Sequence, residues 1–95
     1  MQITTDELRR ATEAILAHLE QTGRKVIEVD EDYYWSIAAE QRYDAYKQPD
    51  DLGIGQLSDD WAEVAAIAHG DKEPAGYALV WLAAVLRAVG ERAIV

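Results

Sequence analysis

The chain has 95 residues and a mass of 10.6 kDa, with 18 Asp plus Glu against 9 Lys plus Arg, a formal charge of −9 and no cysteine. The absence of Cys excludes disulfide scaffolds, thiolate nucleophiles, Fe–S clusters and Cys-based zinc sites. The two-to-one acidic excess argues against nucleic acid as a partner, because counterion release from a phosphate backbone needs clustered Lys and Arg.

At this mass, surface scaling gives roughly 5,500 Å² exposed for a folded monomer against roughly 15,000 Å² unfolded, enough burial for one core. Residues 1–95 are therefore expected to form a single domain. Apolar residues at 49 %, mean hydropathy of −0.24, three Trp and five Tyr are globular values. The segment Met1-Gln2-Ile3-Thr4-Thr5-Asp6-Glu7 has neither a basic nor an apolar region of the secretory type. The apolar stretch from Ala75 to Leu86 is too short for a membrane span, which needs about 20 residues. These features predict a cytoplasmic protein with no membrane partner.

The first element is well signalled. Thr4 and Glu7 form a Thr-x-x-Glu capping box, and Ile3 with Leu8 occupy the positions of a hydrophobic staple, so a helix starts at Thr5. Leu8, Ala11, Ile15 and Leu19 recur at helical spacing, and Gly23 is suited to the position just past the helix end. Val26, Ile27 and Val29 have strand character and predict an extended segment over Arg24 to Asp30. Ser36 is placed to cap a short helix from Ile37 to about Lys47, closed by Pro49.

Leu52-Gly53-Ile54-Gly55-Gln56-Leu57 predicts a loop or a short edge strand against Val26 to Val29. Ser58-Asp59-Asp60-Trp61 is a helix start, with Ser58 as cap and two acids against the positive helix end. Trp61, Val64, Ala65 and Ala68 are its expected inward face, and His69-Gly70 its end. Pro74 suits the first turn of a last helix from Ala75 to Val89, in which Arg87 is the only charged residue. A helix that apolar must be covered on nearly every side, either as the central helix of a monomer or by a second subunit. The expected fold is thus mainly α: a compact three- to four-helix domain around an apolar C-terminal helix, with at most one short β-strand pair.

Catalytic, cofactor and metal motifs are not evident. His18 and His69 have no His or Glu at ligand spacing, and Asp30-x-Asp32-x-Tyr34 departs from a calcium loop at Trp35 and Gln41. Ser58 and His69, eleven residues apart on one helix, lie about 16 Å from each other. Gly53-x-Gly55 lacks the third glycine and the lysine of a phosphate loop. What remains is Glu28, Asp30, Glu31 and Asp32, followed by Tyr33, Tyr34 and Trp35. Three consecutive large aromatics cannot all face one core, and Tyr and Trp dominate interface hot spots. These seven residues are the expected partner-binding segment.

Asp32-Tyr33-Tyr34-Trp35 and Gly55-Gln56-Leu57-Ser58-Asp59-Asp60-Trp61 resemble a group of small bacterial proteins of uncharacterised function that carry D-Y-Y-W and G-Q-L-S-D-D-W segments at similar spacing. The resemblance covers Asp32 to Trp61 and implies a compact bacterial cytosolic protein; it implies no activity and no site. Ala38-Ala39 departs from the group's pattern, where Pro and a polar residue are usual.

The favoured expectation is a non-enzymatic module that binds a basic protein through the acidic and aromatic segment, with an immunity-type role as a subclass. The alternatives are a homo-oligomeric structural or scaffold protein built on the C-terminal helix, as in a homodimer through Ala75 to Val89, and a small carboxylate-dependent enzyme with a pocket near Tyr33, Tyr43 and His69.

Overall fold

The structure, a computed structural model, describes residues 1–94. Helix α1 spans Thr5–Gln21, strand β1 Tyr33–Ile37, helix α2 Ala39–Arg42, strand β2 Leu52–Gln56, helix α3 Leu57–Ala68 and helix α4 Ala78–Arg92. The fold is mainly α with one short antiparallel strand pair.

α1 begins as its sequence dictates. Thr4 is extended and its hydroxyl accepts the Glu7 backbone N–H at 3.1 Å while donating to Glu7 Oε1 at 2.8 Å. Asp6 and Glu7 add negative charge at the positive helix end. Gly23 follows the last turn with φ of 89°, a conformation that glycine adopts without a Cβ penalty.

The strand pair differs from expectation in one partner. β2 pairs with Tyr33–Ile37, in the register Tyr33 to Gln56, Trp35 to Ile54 and Ile37 to Leu52, and not with Val26 to Val29. The cause lies on the glycine face. Gly53 and Gly55 offer no side chain, and β1 opposes them with Ser36 and Tyr34. The Tyr34 ring lies across Gly55 so closely that a Cβ there would overlap it. Val26, Ile27 and Val29 have no ring to cover a bare backbone, and they run as an irregular arm.

Claiming Ser36 and Ile37 for the strand also shortens the second helix. α2 holds four residues, has no side-chain cap, and is fastened to β1 by Arg42 Nη2 donating to the Ile37 carbonyl at 2.7 Å. Ser36 is therefore a strand residue and not a helix cap.

α3 and α4 form a helix hairpin and are the one pair of helices packed extensively together. Lys72, in their connector, meets Glu63 of α3 and lies 4.9 Å over the Trp81 ring of α4. Gly76, with φ of 64°, makes the turn into α4, so Pro74 sits in the connector and not in the helix. Val64 and Ile67 of α3 line one apolar groove with Ala78, Leu79 and Leu82 of α4, and Ala65, Trp81, Val85 and Val89 are half-buried. Trp61, expected inward, is 54 % exposed, and Ala68 is exposed too, because α4 covers only one flank of α3.

α4 is not encircled. α1 does not pack around it, and every residue of α1 except the half-buried Leu19 is exposed. Among the described residues, Ala93 is the only buried hydrophobic residue and Asp60 the only buried charged one, and no side chain is fully enclosed.

Gly55→Ala is expected to destabilise the protein by about 1–3 kcal/mol, the range for overpacking. In a Tyr34→Ala background the added methyl should cost much less. Urea unfolding of the four variants of this cycle checks the coupling.

Candidate functional site

The predicted partner-binding segment divides into two chemically different halves. Asp32 faces inward and holds the start of α3. Its Oδ1 accepts the Ser58 backbone N–H at 2.9 Å, its Oδ2 accepts from Gln56 Nε2 at 3.0 Å, and its carbonyl accepts the Leu57 N–H. These bonds satisfy amide groups that every helix leaves orphaned in its first turn. Ser58 does not cap α3; Gln56 stands at the cap position but its side chain makes no capping bond to the helix, and the capping carboxylate arrives from the residue before β1. The Gln56 amide, then the Ser58 hydroxyl and backbone, hold the Asp32 carboxyl below its ordinary range.

Glu31 is engaged as well. Arg92 at the end of α4 pairs with Glu31 and lies 3.8 Å from Asp30 Oδ2. A hydrogen bond from its own backbone, followed by the Arg92 guanidinium, lowers the Glu31 pKa. Arg24 Nη1 donates to the Arg92 carbonyl at 3.1 Å, so both ends of the arm meet the C-terminus of α4. Glu28 and Asp30 are exposed, and no short side-chain bond occupies either.

The aromatics separate by strand alternation. Tyr34 points to the α3 side, where its hydroxyl donates to Asp60 Oδ2 at 2.6 Å. That bond, with burial and the carboxylate's charge behind it, pushes the Tyr34 pKa up to about 12. Tyr34 and Asp60 thus lock the hairpin onto the first turn of α3. Tyr33 and Trp35 point to the opposite face, where the register sets Trp35 against Ile54 and Ile37 against Leu52. On that face Tyr33 is 66 %, Trp35 70 % and Ile54 69 % exposed, with Leu52 half covered.

Ile54 and Leu52 therefore join the site, although sequence reasoning missed them. The available signal was their alternation with Gly53 and Gly55, which marks one face of a strand as apolar and the other as bare backbone. The arrangement is an open apolar and aromatic sheet face with two acids on the adjoining arm. It has the character of an interface centre: aromatic rings with polar tips, on a backbone braced from behind by Tyr34.

The residues weighed for an enzymatic pocket are not gathered into one. Tyr43 is 87 % exposed and His69 is exposed at the end of α3. Two cavities lie elsewhere. One, of about 140 Å³, is lined by Glu40, Gln41, Asp44 and Lys47 among others, and one, of about 220 Å³, by Val64, Ile67, Pro74, Ala78, Leu79 and Leu82. Among the described residues, no group of three or more His, Asp or Glu is arranged to hold a metal ion, and no helix is long and apolar enough to cross a membrane.

Comparison with protein families, with curated proteins and with solved structures finds no match to this chain.

Two pH effects follow. Folded-state pKa values of Asp32 and Glu31 lie below their ordinary 3.8 and 4.5, so the stabilisation they provide is complete above those values and is lost as pH falls below them. Asp32→Ala should lower the Tm at neutral pH and flatten the acid limb of stability against pH, as thermal melts across an acid series would show. Tyr34 has the opposite sign: its folded pKa is raised, so its contribution is present below the ordinary value of 10.0 and is lost between there and about 12. A near-ultraviolet phenolate titration should contain a phase near pH 12 that Tyr34→Phe removes.

Proposed function

We propose that this protein is a non-enzymatic protein-binding module whose contact surface is the outer face of the β1–β2 hairpin. The observation that carries this is the co-location of Tyr33, Trp35 and Ile54, each about two-thirds exposed, on one side of a braced strand pair. A two-stranded sheet is marginal in water unless a face is covered, so leaving this one open is costly unless a partner closes it. Tyr and Trp supply large area at low side-chain entropy cost, which suits an anchor.

Charge defines the partner's class. The net −9, the exposed Glu28 and the exposed Asp30, which meets Arg92 only at 3.8 Å, favour a basic protein beside the face, drawn in by long-range attraction and held by the apolar centre. Glu31 and Asp32 contribute indirectly, since their carboxylates hold Arg92 and α3. A small acidic protein with this surface suits the neutralisation of a basic toxin, and we propose that immunity-type role as one subclass of the binding function.

The test is affinity capture from the native cytosol with wild-type protein and with Trp35→Ala, in parallel. A stoichiometric basic partner is expected, lost with Trp35→Ala and weakened by salt. The substitution should lower affinity by about 2 kcal/mol or more, as at interface anchors, while reducing stability by only about 1 kcal/mol or less, the scale of one cross-strand pair. A partner retained equally by wild type and Trp35→Ala, or no stoichiometric partner, removes this reading.

A further inference from the structure

The folded chain exposes 8159 Å², against roughly 5,500 Å² expected for a globular monomer of its mass, an excess of roughly 2,700 Å². Its radius of gyration is 15.1 Å, where a compact chain of this length has about 12 Å. An obligate dimer buries about 1,000–2,500 Å² on each partner. The uncovered area is therefore what a large self-association would close, and more than a small contact such as the hairpin face accounts for.

Two helix stripes, exposed except at the half-buried Leu19, contribute to it. On α1, Leu8, Thr12, Ile15 and Leu19 follow one another at spacings of four, three and four, with Leu8 54 % and Ile15 67 % exposed. On α4, Leu79, Ala83, Leu86 and Gly90 follow the same spacing along the side turned away from α3, and all four are exposed. That spacing keeps each set within one narrow seam of its helix. Neither seam contains a charge, so joining them desolvates none. The shapes match as well: α1 offers bulky side chains where α4 alternates large with small. Leu79 also borders the apolar groove between α3 and α4, which extends the receiving surface.

Within one chain the two seams stay apart. The arm over residues 22–32 has its Arg24 and Glu31 ends both fastened to Arg92, at the C-terminus of α4, and α1 extends from it unpacked. A helix on a tethered arm and an unused acceptor in the same chain satisfy each other reciprocally when two copies meet about a two-fold axis. We infer that the protein is an arm-exchanged homodimer in which α1 of each copy lies along the Leu79, Ala83, Leu86 and Gly90 seam of the other. The hairpin face takes no part in this contact and stays open on both copies.

The contact of α1 with α4 of another copy has a signature that contacts between like surfaces do not share. Ile15→Glu damages only the arm and Ala83→Glu only the acceptor, both at positions exposed within the chain. Wild-type protein should sediment as a dimer at micromolar concentration, and each variant alone should require at least about tenfold more protein to dimerise. An equal mixture of the two variants should recover dimers, because the intact arm of one fits the intact acceptor of the other. As a check that does not depend on stability, Thr12→Cys in one chain and Ala83→Cys in a second should give a mixed interchain disulfide on oxidation; the protein has no cysteine of its own. A monomeric wild type, a mixture no more dimeric than its components, or Thr12→Cys chains crosslinked chiefly to each other would each overturn the exchange.

Discussion

Asp32 is the residue on which the arrangement of the other elements depends. Its carboxylate and carbonyl together take the first amides of α3 and the Gln56 side chain, at the point where β2 ends, α3 begins and β1 is about to start. Three element boundaries are tied through one residue. A helix N-terminus needs acceptors for its orphan amides, and here the acceptor comes from a distant segment, so the helix and the hairpin cannot move independently. The Tyr34 to Asp60 bond repeats the connection two residues further along, still in the first turn of α3, and sets the ring over Gly55. The hairpin is consequently rigid on its inner side, which is what lets its outer side stand exposed without collapsing.

Against that local order, the chain as a whole has little interior. The packed pairs are hairpin strand on strand and α3 on α4, and Ala93 alone of the described hydrophobic residues is buried. Hydrophobic burial is the principal favourable term in folding, and it must offset a backbone entropy cost of about 1–2 kcal/mol for each ordered residue. A chain with so little of its apolar area covered is stabilised when a partner covers more. The hairpin face and the helix seams differ in kind: one is aromatic and flanked by acids, the other aliphatic and uncharged. The occupants proposed for them differ accordingly, a basic protein and a second copy, and the proposed dimer would present two hairpin faces at once.

Much of the helical content was legible in the sequence. Thr4 and Glu7 mark the start of α1 because a capping box is a local device whose partners lie three residues apart. The apolar run after residue 75 signals a helix that needs cover, and it is the helix whose outer seam remains bare. The strand pair was harder to read. Val26, Ile27 and Val29 carry the stronger aliphatic strand pattern, yet β2 takes Tyr33–Ile37, because the deciding term is a ring laid over a glycine and a phenol reaching an acid on the next helix. Neither contact is visible in a window of neighbouring residues. The same holds for the site: Tyr33 and Trp35 were identified by composition, while Ile54 and Leu52 joined them only through the register.

The sequence by itself determined the mainly helical class, the ends of α1, the exclusion of cysteine chemistry, and an excess of acid concentrated before three aromatics. Those properties are composition or short-range spacing, and both are complete before the chain folds. Tertiary structure decided what each of the acids and aromatics does. It turned Asp32 and Tyr34 inward as the cap and lock of α3, gave Glu31 to Arg92, and left Tyr33 and Trp35 facing out. Strand alternation assigns faces only once the partner strand and its register exist, and a carboxylate becomes a helix cap only when folding brings a distant helix end to it.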